Sequence, residues 1–113
     1  MYSNEFEWGG VMELERLEDE SIDRLFDAIL LLKTREECYR FFEDICTIGE
    51  VKAMAQRLQV AEMLKKGFTY TDIAQNTGAS TATISRVKRF LNYGANGYNM
   101  VLERLGKRES EKI

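Results

Sequence analysis

Thr34 with Glu37, Thr47 with Glu50 and Thr69 with Asp72 each set a hydroxyl three residues ahead of a carboxylate, at the head of a segment whose apolar residues recur every three or four positions. Such a pair satisfies backbone N–H groups that have no partner in a helix's first turn, so each marks a place where a helix opens. The chain contains no proline, no strand-like alternation and no internal repeat. These features confine it to one class: all-α, with helices separated by their own caps.

The helices can be placed in order. Between Val11 and Lys33, Ile22, Leu25, Phe26, Ile29 and Leu30 share one helix face. Thr34 opens a second helix with the stripe Cys38, Phe41, Phe42, Ile45 and Cys46; Thr47 opens a third carrying Val51, Met54, Leu58, Ala61 and Leu64, which runs to Gly67. Thr69 caps a short fourth helix to about Thr77, Gly78 breaks it, and Ser80 caps a fifth that ends near Tyr93 at Gly94. A sixth spans Tyr98 to Leu105, and the polar tail KRESEKI is expected to fray. The expected organisation is one helical domain, residues 1–106, followed by a flexible tail, 107–113.

The net charge of −3 conceals an asymmetry: residues 1–50 hold 5 basic against 14 acidic side chains, whereas residues 51–113 hold 11 against 5. Within 51–95 the count is 7 against 2, so a positive surface sits inside an acidic protein, and a polyanion responds to the local field. There is no apolar run long enough to span a membrane, and MYSNEFEWGG lacks the pattern of a secretory signal, so the expected location is the cytoplasm. Cys38 and Cys46 lie beside large apolar residues, and in the absence of any histidine they read as core thiols rather than zinc ligands. Phe6, Trp8, Phe26, Phe41 and Phe42 offer more aromatic area than a thin six-helix monomer covers, which points to an intertwined homodimer.

The stretch TDIAQNTGASTATISRVKRF has the parts of a helix-turn-helix, over about 69–93. Ala74 is the small residue where the first helix meets the second, Gly78 supplies the turn, and Ile84 and Val87 anchor the second helix, with Ile73 in the shared core. If Ile84 and Val87 face inward, Ser80, Thr81, Ala82, Ser85, Arg86 and Arg89 face outward. Small hydroxyls and a methyl permit close approach to base edges, and arginine offers a fork for guanine or a phosphate. Unpaired N–H groups at the helix starts near Thr69 and Ser80 can receive phosphates, and Lys52, Lys65, Lys66 and Lys88 are candidates for backbone contacts.

The run QRLQVAEMLKKG followed by TGASTATISR resembles the Trp repressor superfamily, and with REECYRFFEDICTIGE before it and VKRFLNYGANGY after it the chain is similar to the Trp-repressor-like YerC/YecD family over roughly residues 20–105. The resemblance implies an intertwined homodimer with two helix-turn-helix heads, acting as a transcriptional regulator on double-stranded DNA. In the Trp repressor two arginines and a threonine meet the co-repressor's carboxylate, and the resemblance puts Arg57, Arg86 and Thr47 at those places. Where the repressor has a glycine that makes room for the indole ring, this chain has Val87; Lys88 and Arg89 follow in place of small polar residues. Thr71, counted with the DNA-facing residues, stands where the repressor has a base-contacting arginine. Loss of tryptophan control and an altered operator are what these differences imply.

Nothing in the sequence suggests catalysis: there is no histidine, no nucleophile beside a base and no phosphate loop, and no metal or cofactor is expected. The expected reading is a sequence-specific DNA-binding regulator that acts without tryptophan on a pseudo-palindromic operator. Its competitors are a protein-interaction scaffold that keeps the helix-turn-helix fold, and a repressor controlled by another small metabolite.

Overall fold

The computed structural model describes residues 19–112, so Phe6, Trp8 and the first turns expected from Val11 onward lie outside the described residues. Six helices follow in order: α1 Glu20–Leu30, α2 Arg35–Ile45, α3 Ile48–Lys65, α4 Tyr70–Thr77, α5 Thr81–Tyr93 and α6 Gly97–Glu111. The described residues contain no strand.

The caps behave as the sequence requires. Thr47 and Glu50 exchange both bonds, Glu50 N–H donating to Thr47 Oγ1 at 3.1 Å and Thr47 N–H to Glu50 Oε1 at 2.8 Å. Thr34 Oγ1 accepts from Glu37 N–H at 3.1 Å, while the returning carboxylate takes the N–H of Lys33 rather than that of the cap itself. Thr69 and Ser80 accept at 3.1 Å from Asp72 N–H and Thr83 N–H. The start of α1 is held by a cap the periodicity did not mark, Asp19, whose Oδ1 accepts from Ile22 N–H at 2.9 Å and from Ser21 Oγ at 2.8 Å. Those two bonds, with Ile22 N–H the larger influence, hold the Asp19 carboxyl below its ordinary value.

The chain divides into two compact units, one up to Val51 and the other from Lys52. In the first unit no described residue is buried: Phe26 and Ile45 are about half exposed and Leu30 and Leu31 three-quarters or more, all on the expected apolar stripes or beside them. The expectation that both cysteines are core thiols is not met, since Cys38 is exposed and Cys46 only half-buried; none of the described residues covers this side of α2 fully.

The second unit has the core. Val60 and Ala61 of α3 meet Ile73 of α4, Ala79 of the turn, and Ile84 and Val87 of α5, all buried, with Met63, Leu64, Tyr70, Ala74, Leu91, Tyr98 and Leu102 packed around them. Of the apolar stripe expected on α3, Ala61 is buried and Leu64 packs against the core, but Met54 is 39% exposed and the fully buried Val60 was not among its members. α3 is apolar on adjoining faces, and the helix-turn-helix covers the one around Val60 and Ala61.

Two glycines are needed for different reasons. Gly78 closes α4 at φ +74°, donating its N–H to Ala74 O at 2.9 Å. Gly78→Ala is expected to lower stability by about 1–2 kcal/mol, the usual penalty for a Cβ in the left-handed region, which a thermal melt would reveal. Gly94 closes α5 without a positive φ; there a Cβ would lie 2.6 Å from Phe90 O. Beyond it α6 continues through Gly106 to Glu111, six residues past the expected Leu105, because an interior glycine weakens a helix by only about 1 kcal/mol and Arg108 suits its negative C-terminal end. Among the described residues no helix is long and apolar enough to cross a membrane.

Candidate nucleic-acid interface

The turn between α4 and α5 is held by several hydrogen bonds. Thr77 Oγ1 donates to Ile73 O at 2.7 Å and accepts from Ala79 N–H at 3.1 Å, tying the end of one helix to the start of the turn. From α3, Gln56 Nε2 donates to Thr77 O at 3.0 Å. With Ala79 only 5% exposed and Ile84 and Val87 at 0% and 1%, α5 is set in one rotational position.

That position decides what α5 presents. At 3.6 residues per turn, burying Ile84 and Val87 turns Ala82, Ser85, Arg86 and Arg89 away from the core, and all four are exposed, as are Ser80, Thr81 and Lys88. They fall into two rows along the helix: Ala82, Arg86, Arg89 and Tyr93 in one, Thr81, Ser85, Lys88 and Asn92 in the other. Tyr93, 81% exposed at the end of the first row, escaped the sequence reading because it was counted only as a helix end. Thr71, in the first turn of α4, is exposed too.

The polar residues of this surface differ in what they have to spare. The Ser80 hydroxyl accepts from Thr83 N–H and donates to Thr83 Oγ1 at 3.1 Å, so its work is to shape the start of α5. Arg89's guanidinium lies 5.2 Å from the ring of Phe90, and the Lys88 ammonium stands 5.8 Å from the ring of Tyr70. Of the remaining lysines named from sequence, Lys65 Nζ donates to Asn99 Oδ1 at 2.8 Å and Lys66 pairs with Glu62 at 3.7 Å, an exposed pair of little energetic weight; Lys52 is exposed on α3.

The four residues suggested for an effector pocket fare unequally. Val87 is a core residue, Arg57 is half-buried on α3 and Arg86 is exposed on α5. Thr47 belongs to the other unit, and its hydroxyl accepts the capping bond of α3. No group of three or more Cys, Asp or Glu side chains among the described residues comes together in a way that could hold a metal ion.

The family model described as Trp repressor protein matches residues 20–106. The uncharacterised Bacillus subtilis (strain 168) protein YerC is 56% identical over 100 residues, which covers 88% of this chain and 96% of YerC. A solved Staphylococcus aureus structure assigned as a Trp repressor superposes with a TM-score of 0.80 at 56% identity, covering 84% of this chain and 95% of that one. A TrpR-like protein from Eubacterium eligens ATCC 27750 gives 0.78 at 58% identity, covering 80% and 93%.

Proposed function

Because this chain belongs to the Trp repressor family, we propose that it is a transcriptional regulator that binds double-stranded DNA as a homodimer, reading sequence with α5 and needing no tryptophan to do so. The observation that carries this reading is the division of α5: Ile84 and Val87 are buried, while the opposite side offers Thr81, Ala82, Ser85, Arg86 and Arg89 to solvent. Short side chains at the start of the helix let it sit deep in a major groove, and the arginines further along reach bases or the flanking phosphates.

The dimer is supported by what the first unit leaves undone. α1 and α2 bury none of their residues, with Leu30 and Leu31 at 80% and 75% exposure. Patterned helices that find no cover among the described residues are what an intertwined partner would bury. Two heads related by a two-fold axis then call for a pseudo-palindromic site with half-sites roughly 34–36 Å apart.

Independence from tryptophan rests on Val87. Its side chain is 1% exposed in the core that joins α5 to α3 and α4, where a glycine would leave space. A ligand changes a conformational equilibrium only by preferring one state, and a head already packed has little for a wedge to add.

Selection of binding sequences from a random duplex pool, with purified protein, no added ligand and two salt concentrations, tests all three parts. The expected result is an enriched two-fold symmetric site at both concentrations. Weak binding that enriches nothing and vanishes at the higher salt would overturn sequence-specific reading, since that is the behaviour of phosphate attraction alone.

A further inference from the structure

The core that joins α3 to the helix-turn-helix is apolar: its packing fixes which face of α5 turns inward, while directional bonds add resistance to a tilt or slide of the head as a whole over α3. The second unit contains two sets of such bonds, one at the end of α4, where the turn into α5 begins, and one in the last turn of α5. At the turn, Gln56 of α3 donates to Thr77 O, one of the last carbonyls of α4 that the helix itself leaves without a donor. At the far end, Asn99 of α6 donates through Nδ2 to Leu91 O in the last turn of α5 at 3.0 Å and to Asn96 Oδ1 at 3.2 Å, while its Oδ1 accepts from Lys65 of α3. Gln56 and Lys65 are nine residues apart on the same helix, which is roughly 13–14 Å along its axis.

We propose that Gln56 is a positioning residue for DNA reading: with the Lys65–Asn99 pair it braces the head against α3, at the end of α4 and at the end of α5, keeping it in the groove-competent orientation without a bound ligand. This rests on the reading of α5 as the DNA-contacting helix, and it assigns to residues of the chain itself the orienting work that an effector could otherwise do. Gln56 points at a backbone carbonyl of the turn and is half-buried, so it acts through the head. When a head spends part of its time in other orientations, its apparent affinity falls by the fraction of time it is competent.

The test uses the full chain and the duplex selected by the wild type. Gln56→Met keeps the volume and removes the donor; Gln56→Glu keeps the shape and sets a carboxylate against the Thr77 carbonyl. Both are expected to bind that duplex roughly tenfold more weakly well below their melting temperatures, as loss of one directional bond implies. The slope of log affinity against log salt should stay as in the wild type, because no phosphate contact is lost. Asn99→Leu, which removes the second brace, is expected to act in the same direction, and the double variant to lose more than either. Unaltered affinity in both Gln56 variants, with only a lower melting temperature, would show Gln56 to be structural and overturn the proposal. A changed salt slope would make it a phosphate contact and overturn it as well. If the wild type itself selects no duplex, it is the DNA reading that fails, and the brace has no function to serve.

Discussion

Replacing Arg86 and Arg89 together by alanine is expected to weaken operator binding by about thirtyfold to a thousandfold, corresponding to about 1–2 kcal/mol for each arginine contact. Both side chains are exposed and neither enters the core, so helical content and melting temperature should remain those of the wild type. Fluorescence anisotropy with labelled operator measures the loss, and repeating it across salt concentrations divides it between two causes. A salt slope reduced by about 0.9 for each arginine identifies phosphate contacts, whereas an unchanged slope with relaxed sequence preference identifies base reading. Unaltered affinity would favour the scaffold reading, in which the helix-turn-helix is retained only for its shape.

The second unit was largely legible from sequence because its signals are local. Thr69, Gly78 and Ser80 sit at fixed offsets from the apolar pair Ile84 and Val87, and each does there what its chemistry does in any helix pair. The outward face of α5 follows from the inward one by helix geometry alone. What the sequence could not indicate were the contacts made at a distance. Gln56 reaches Thr77 across 21 residues and Lys65 reaches Asn99 across 34, and neither pair leaves a periodic mark. The burial of Val60 rather than Met54 has the same origin: α3 is apolar on adjoining faces, and which one is covered depends on where α4 and α5 settle.

The first unit differs, and the difference is physical. Its periodicity was read correctly as helical, but periodicity states only that one face seeks cover. With Leu30, Leu31 and Ile48 at 80%, 75% and 69% exposure, nothing among the described residues supplies it. The aromatic residues that suggested a second copy from sequence are not the ones most exposed: Phe26 is 49% exposed, Phe41 and Phe42 are half-buried, and Phe6 and Trp8 lie outside the described residues. A two-fold symmetric selected site would reveal a second copy through the DNA.

Val87→Gly is expected to have the largest effect on the protein itself. The substitution removes a buried side chain worth about 1.5–3 kcal/mol and adds the penalty of a glycine inside a helix, about 0.5–1 kcal/mol. A total near 3 kcal/mol should lower the melting temperature by roughly 10 °C or more in a chain of this size. The consequence for DNA follows from where the residue sits. Val87 belongs to the core that α3, α4 and α5 share, so its loss loosens the packing of α5 while the braces at Thr77 and Leu91 remain. Operator affinity should fall even well below the melting temperature, since a looser head is competent less often. Adding tryptophan to this variant then separates two ideas. Recovery of affinity would show that the valine fills space a ligand can occupy, whereas continued weak binding would show that the chain forms no tryptophan site even when that space is open. A Val87→Gly protein that melts and binds DNA like the wild type would remove the argument for a head held in place by its own packing.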